Sequence, residues 1–201
     1  MKLRWAAGSP FVRKVTVTAI ETGLDGRIER IDTDYRPLDS DLIKDNPLGK
    51  VPALIRDDGS VLADSPVICA WLDSLHDGPK LIPAEGEARW RALNLEGMGD
   101  GIGEAAIAVQ RERNRPDGRR WDVWEDRNAA KFRNTMGWLD ANAQLLDGPV
   151  TIGHIAIACA LGWTEFRVPD LMADAETRWP TVIAWYRTFC ERPSMRATVP
   201  R

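Results

Sequence analysis

The chain has 201 residues and a mass of 22.5 kDa, which allows one large domain or two small ones. Its 27 basic and 30 acidic side chains give a net charge of −3, which argues against a protein that holds nucleic acid mainly by charge. Three cysteines and two histidines are too few for a disulfide framework or a multi-ligand metal centre, so no metal is expected. Without a membrane-length apolar run or a signal-peptide pattern at the start, we expect a cytoplasmic protein with no membrane attachment.

The first 76 residues alternate between strand and helix patterns. Ser9-Pro10 and Ser65-Pro66 each place a capping residue before a proline, which is typical of a helix start. Apolar spacing and turn residues predict strands over 2–5, 27–31, 51–56 and 60–63, and helices from 10 to about 23 and from 65 to 75. One or two further helical turns are expected within 39–45.

The remaining chain shows helix patterns only. A segment rich in proline and glycine, 77–86, reads as a linker. Helices are predicted over 87–113, 119–146, 151–167 and 175–191. The sequence therefore predicts a small α/β domain over 1–76, the linker 77–86 and a helical domain over 87–201.

Three segments of the first domain, residues 9–14, 46–54 and 64–68, carry the chemistry. With these segments in this order, the chain resembles the glutathione S-transferase superfamily, specifically its bacterial, serine-bearing members, over nearly its whole length. The resemblance implies a thioredoxin-like α/β N-terminal domain with a mixed four-stranded sheet, and an all-α C-terminal domain that contains the second-substrate site. It also implies a homodimer.

The segment around Val51-Pro52 follows turn chemistry and opens a strand. In the family the matching proline is cis and presents the preceding backbone to the substrate, which implies that Val51 pairs with the cysteinyl backbone of glutathione as an added strand would. Lys50 would then reach the glycyl carboxylate. The alternative for Val51-Pro52 is an ordinary edge-strand turn, and the alternative for Lys50 is a solvated side chain without a ligand.

The segment at Asp64-Ser65 begins a helix, whose free N–H groups and partial positive charge attract a carboxylate. The resemblance implies that Ser65 offers its hydroxyl and its N–H to the γ-glutamyl carboxylate of glutathione. Asp64 would meet the γ-glutamyl ammonium, at a position where the family more often has glutamate. The alternative is a helix cap with no ligand.

Ser9 stands where the family places the residue that activates the glutathione thiol, and its hydroxyl would donate a hydrogen bond to the sulfur. Lowering a thiol pKa by about two units requires roughly 2.7 kcal/mol. A hydrogen bond to a charged group supplies about 1.5–3 kcal/mol, and a helix N-terminus adds about 0.3–1 kcal/mol. The alternative is that Ser9 only caps its helix, and the two roles compete for one hydroxyl.

The resulting hypothesis is a glutathione transferase acting in detoxification. Glutathione is its co-substrate, no further cofactor is implied, and the thiolate attacks a partly apolar electrophile. A non-catalytic glutathione-binding or regulatory relative is the alternative from another class, and a glutathione-dependent isomerase or dehalogenase is a third.

Two features of the helical domain carry further expectations. Glycines at 97, 99, 101 and 103 are costly inside a helix, so we expect either a close helix approach or a local break. Thr151 and His154 stand where the family has a capping box that ends in aspartate. Because His154 replaces that acid, we expect the reciprocal acidic hydrogen bond to be missing and this helix start to be weaker.

Overall fold

The computed structural model describes residues 1–200. Its four strands are β1 (Lys2–Trp5), β2 (Glu29–Asp32), β3 (Ala53–Ile55) and β4 (Val61–Leu62). They form one sheet in the order β2-β1-β3-β4, in which β1 pairs with β2 in parallel and β3 is antiparallel to both of its neighbours. Leu3 and Leu54 are register partners across β1 and β3, and both are fully buried. The predicted mixed four-stranded sheet is therefore confirmed.

Three helices accompany this sheet: α1 (Pro10–Glu21), α2 (Leu42–Asp45) and α3 (Ser65–Ser74). Each of the two longer helices begins with a capping residue and a proline in its first turn, as the sequence predicts. α1 and α3 pack against each other on one face of the sheet, where Val15, Ile68 and Leu72 are completely buried.

From residue 86 to residue 200 the chain is helical and contains no strand. The helices are α4 (Gly86–Arg113), α5 (Asp122–Ala141), α6 (Ile152–Arg167), α7 (Ala175–Arg178), α8 (Pro180–Cys190) and α9 (Pro193–Arg196), with 3₁₀ turns at Ala143–Leu146 and Pro169–Met172. The predicted helix 175–191 is in fact two helices, because Trp179 leaves the helical conformation before Pro180. No helix within residues 1–200 is long and apolar enough to span a membrane.

Of the glycines at 97, 99, 101 and 103 in α4, Gly99 permits a close helix approach, and the alternative of a local break is wrong because α4 is continuous. A Cβ on Gly99 would lie 2.5 Å from the backbone nitrogen of Ile157 on α6. From α6, Gly153 approaches α4 in the same way, since its Cβ would lie 2.4 Å from Cβ of Leu95. The α4–α6 contact is thus nearly backbone to backbone.

The expected weakness at the start of α6 is wrong, because an imidazole replaces the carboxylate. The backbone N–H of Thr151 donates to Nδ1 of His154 at 2.9 Å, which completes the capping box. Nε2 of the same ring lies 3.2 Å from the carbonyl oxygen of Leu146 and donates to it. Burial lowers the pKa of His154, so the ring is neutral and can accept at Nδ1 while it donates at Nε2.

Buried polar groups join the two parts of the chain. Nζ of Lys14 on α1 lies 3.0 Å from Glu96 and 2.7 Å from Asp100, both on α4, and only 1 % of its side chain is exposed. The adjacent Arg13 forms no ion pair within residues 1–200. Its guanidinium donates instead to the carbonyl of Met195 and the hydroxyl of Thr198.

Candidate functional site

The sheet topology brings the three predicted segments to one edge. Because β3 is antiparallel to both β1 and β4, the strands β1 and β4 run in the same direction and end at the same edge. α1 and α3 follow these strands, so Ser9 and Asp64 both lie there. β3 runs the opposite way and begins at this edge, which brings Val51-Pro52 beside them. Three segments that are spread between Ser9 and Ser65 in the sequence thus form one candidate site.

Ser9 is the N-cap of α1 and is half-buried. Its backbone is extended, and its Oγ accepts a hydrogen bond from the N–H of Val12 at 3.3 Å. A hydroxyl has one donor hydrogen and two acceptor lone pairs, so capping leaves the Ser9 O–H hydrogen available to a further acceptor. The expected competition between capping and a second role therefore does not arise.

A short loop positions Val51. Buried Asn46 bridges this loop, because its amide nitrogen donates to the carbonyl of Lys50 at 2.7 Å and its oxygen accepts from the Leu48 N–H. The Val51–Pro52 peptide bond is cis, as the resemblance implies. Within residues 1–200 neither the N–H nor the C=O of Val51 forms a hydrogen bond, which leaves one backbone donor and one acceptor free.

Lys50 is exposed and forms no ion pair with a described residue. The preceding Gly49 has a φ of 61°, a left-handed conformation that glycine adopts without strain. The Lys50 ammonium is thus free to meet an anion at this edge of the sheet. The Asn46 bridge to Lys50 was not predicted as part of the site, although Asn before Pro is a turn signal.

Ser65 contains an unused buried hydroxyl. It opens α3 with only 1 % of its surface exposed, and its Oγ has no hydrogen-bond partner. Its N–H donates to the carboxylate of Asp64, the exposed N-cap residue, which follows a cis bond from Ala63. The hydroxyl of Ser65, rather than its N–H, is therefore the group that remains for a ligand. A buried polar group without a partner is costly, and a bound anion would remove that cost.

Acidic charge lies behind this edge. Burial raises the pKa of Asp100 to about 6, against the attraction of Lys14, and the carboxylates of Glu96 and Asp64 raise it further. One lysine thus faces two carboxylates, the buried Glu96 and the partly buried Asp100, so this cluster has an excess of negative charge when both are ionised. A cation at the edge near Asp64 would be attracted to that charge.

The three cysteines are not candidate nucleophiles. Burial raises the pKa of Cys69 to about 12 and that of Cys159 to about 11, and it also raises the pKa of Cys190. All three thiols are therefore protonated near neutral pH, and a protonated thiol is a poor nucleophile. Cys69 and Cys159 are buried, and Cys190 is half-buried.

The end of α6 forms a wall beside Ser9 that sequence reasoning missed. Nε1 of Trp163 donates to the carbonyl of Gly8 at 2.8 Å. One turn later, Nη2 of Arg167 lies 3.4 Å from the position that a Cβ on Gly8 would occupy. The available signal was the four-residue spacing of these two side chains, which places them on one helix face. Their partner lies about 155 residues away in sequence, which no local pattern reveals.

Comparison with protein families and curated proteins gives a consistent result. The family model described as "Glutathione S-transferase, N-terminal domain" matches residues 8–75, and the corresponding C-terminal domain model matches residues 122–188. The chain is 32 % identical over 172 residues to the "Uncharacterized GST-like protein YibF" of Escherichia coli (strain K12), covering 83 % of each protein.

Solved structures with similar folds hold ligands. A glutathione transferase family member from Pseudomonas fluorescens Pf-5, with bound glutathione, has a TM-score of 0.95 and 42 % identity, over 100 % of this chain and 98 % of that one. Another structure of a family member from that organism, with bound S-(propanoic acid)-glutathione, has a TM-score of 0.92 and 40 % identity over the whole of both chains. A glutathione S-transferase from Methylobacillus flagellatus, with glutathione bound, has a TM-score of 0.92 and 29 % identity, covering 100 % of this chain and 99 % of that one.

Proposed function

This chain belongs to the glutathione S-transferase family, and from that premise we propose that it is a glutathione transferase which binds glutathione at the edge formed by Ser9, Val51-Pro52 and Asp64-Ser65. The observation that carries the proposal is the unpartnered, buried hydroxyl of Ser65 at the start of α3. Structures of relatives that hold glutathione support the same assignment.

Each part of the tripeptide has a complementary group at this edge. The γ-glutamyl carboxylate accepts from the Ser65 hydroxyl at a helix N-terminus, and the γ-glutamyl ammonium faces Asp64. The cysteinyl backbone pairs with the free N–H and C=O of Val51, as in strand addition. The exposed ammonium of Lys50 meets the glycyl carboxylate. Together these groups contact both carboxylates and the ammonium of glutathione.

The reactive step uses the thiol of the bound glutathione. The Ser9 O–H donates to the sulfur while a lone pair of the same oxygen continues to accept from the Val12 N–H and cap α1, and this stabilises the thiolate over the thiol. The thiolate then attacks an electrophilic carbon and forms a C–S bond, while the electron pair of the bond that breaks leaves with the displaced group or with the neighbouring carbon. Ser9 is thus the catalytic residue, acting as a hydrogen-bond donor and not as a nucleophile.

The second substrate lies between the domains, against α4 and the end of α6. Phe11 on α1 packs 3.7 Å from the Cβ position of Gly103 on α4, which gives this region an apolar surface. Phe11 suits a partly apolar electrophile, and the relative that holds S-(propanoic acid)-glutathione supports a small one. We place the enzyme in the cytoplasm as a homodimer acting in detoxification, in keeping with the family.

The test measures binding and turnover separately. Isothermal titration calorimetry of the wild type with glutathione should show one site per chain. Replacement Ser65→Ala should weaken that affinity by about 10- to 150-fold, because a hydrogen bond to a charged group contributes about 1.5–3 kcal/mol. The matched control, Ser74→Ala, removes an exposed hydroxyl at the other end of α3 that donates to the Trp71 carbonyl, and it should leave the affinity unchanged.

A conjugation assay with a panel of neutral electrophiles completes the test. Glutathione-dependent product formation above the uncatalysed rate is the expected result. Binding without turnover of any electrophile would identify a non-catalytic relative. A folded wild type that does not bind glutathione would exclude the proposal altogether.

A further inference from the structure

We propose that Arg167 makes the enzyme prefer a second substrate that carries a carboxylate next to its reactive carbon–carbon double bond. This assignment rests on the proposed function. Neither the sequence motifs nor the glutathione-binding groups include Arg167. Its guanidinium is the cation that α6 brings to the loop immediately before Ser9.

The position of Arg167 is fixed by its neighbours. Nη2 lies 3.4 Å from the Cβ position of Gly8, so the guanidinium rests against the residue that precedes Ser9. The hydrogen bond from Trp163 to the Gly8 carbonyl, one turn earlier on the same face of α6, holds this loop against the helix end. The guanidinium also stacks on Phe166, at 4.4 Å from the ring centre, which restricts its motion.

The charge of Arg167 is not neutralised by the described chain. Nearby arginines of the helical domain are paired: Arg113 contacts Glu125 and Asp170, and Arg187 contacts Glu165. Arg167 forms no ion pair and donates no hydrogen bond to a side chain among residues 1–200, and it is exposed. An exposed cation beside the expected position of the sulfur favours an anionic group on the molecule that the sulfur attacks.

The reaction of an α,β-unsaturated carboxylate uses this cation. The thiolate sulfur bonds to the β-carbon, and the π-electron pair of the double bond moves through the α-carbon onto the carboxylate oxygens. Water then supplies a proton to the α-carbon, which gives the saturated carboxylate and hydroxide, and no bond other than the π bond is lost from the electrophile. Negative charge grows on the carboxylate during attack, so a guanidinium beside it stabilises the transition state more than the ground state.

Two conjugates that differ by one charged group test the assignment. S-(2-carboxyethyl)glutathione carries the carboxylate, and S-(2-carbamoylethyl)glutathione replaces it with a neutral amide of the same shape. Calorimetry should show that the wild type binds the acid about threefold to fivefold more tightly than the amide, a ratio typical of an exposed ion pair. That preference should shrink as salt is added, since salt screens exposed charges.

Variants assign the preference to the residue. Arg167→Gln should bind acid and amide equally while its affinity for glutathione itself is unchanged, and Arg167→Lys should restore part of the preference. Arg178→Gln is the matched control, because Arg178 is also an exposed arginine stacked on its neighbouring aromatic ring, Trp179, and it should keep the wild-type ratio.

The outcomes separate the two proposals. Glutathione binding with equal affinities for acid and amide in the wild type would overturn the role of Arg167 and leave the proposed function standing, as would an unchanged preference in Arg167→Gln. A wild type that binds neither glutathione nor the conjugates would overturn both.

Discussion

Two serine hydroxyls at helix starts have different hydrogen-bonding states, and the difference matters for the proposed site. Oγ of Ser9 accepts one hydrogen bond from its own helix and keeps its donor hydrogen. Oγ of Ser65 has no partner although it is buried. A helix cap alone requires only the first arrangement, because capping satisfies an orphan N–H. The second arrangement leaves a polar group unsatisfied in the free protein and is the stronger indication of a ligand.

His154 shows how one residue changes the chemistry of a helix start. Its buried neutral ring accepts from the Thr151 N–H, a role that the family usually gives to aspartate. Protonation of Nδ1 would remove the acceptor and place a charge in a buried position. The capping box of α6 therefore depends on pH. A capping box with an ionised carboxylate would not depend on pH near neutrality.

We expect the wild type to lose stability below about pH 6.5 through this residue. Burial lowers the pKa of His154 below its usual 6.5, so the unfolded chain binds the proton more tightly than the folded protein. The contribution is complete above pH 6.5 and is lost as the pH falls through the lowered pKa. His154→Asn keeps a neutral side-chain acceptor and does not titrate.

Urea unfolding between pH 7.5 and about 5 measures the free energy of unfolding of wild type and variant. Because other titrating groups such as Asp100 are present in both proteins, their effect cancels in the difference. The variant should lose less free energy of unfolding on acidification than the wild type. Parallel pH profiles would contradict the neutral-ring account.

At the scale of elements, the approach of α4 to α6 decides which glycines are needed. A Cβ on Gly99 would meet backbone atoms of α6 at 2.5–2.6 Å, whereas one on Gly97 would meet nothing within 4 Å. Backbone cannot move aside as a flexible side chain can, so the helices must separate to admit even a methyl group.

We expect Gly99→Ala to lower the free energy of unfolding by about 1–3 kcal/mol through overpacking. Gly97→Ala is the control on the same helix and should raise it by up to about 1 kcal/mol, because alanine is the better helix former. Urea denaturation distinguishes them by sign. Destabilisation of similar size in both variants would mean that helix packing is not the cause.

At the scale of the molecule, a buried charge cluster joins the sheet domain to the helices. Lys14 reaches from α1 to Glu96 and Asp100 on α4, directly under the region of Asp64. Removal of one partner of a buried ion pair leaves the others uncompensated, which is costly even where the intact pair adds little. The two domains are therefore expected to unfold together.

We expect Lys14→Met to lower the free energy of unfolding by about 3–5 kcal/mol, because it leaves the buried Glu96 and the partly buried Asp100 without a cation. Adding Asp100→Asn to this variant should recover part of the loss. Lys2→Met, which removes an exposed lysine 3.7 Å from Glu29, should change stability by less than about 0.5 kcal/mol. Equal small effects at both lysines, measured by denaturant unfolding, would refute the role given to Lys14.

Local sequence patterns were sufficient to predict where helices begin, because helix starts depend on neighbouring residues. Proline and capping residues located the starts of α1 and α3, and the change from alternating to helical patterns located the start of the helical region within one residue of Gly86. Long-range partners were beyond the sequence. Glu96 lies 82 positions from Lys14, and the Met195 carbonyl lies 182 from Arg13, so their pairing depends on how the domains pack. The same limit hid Arg167 beside Gly8.

A spectroscopic titration measures whether the Ser9 hydroxyl stabilises the thiolate of bound glutathione. The ultraviolet absorbance of the thiolate is followed against pH in complexes of wild type, Ser9→Ala and Ser9→Gly. Glycine costs an N-cap only a few tenths of a kcal/mol and alanine costs about 1, so the two variants differ in stability and share the loss of the hydroxyl. We predict that both raise the apparent pKa of the bound thiol by about one to two units. A titration that matches the wild type in both variants would contradict the account.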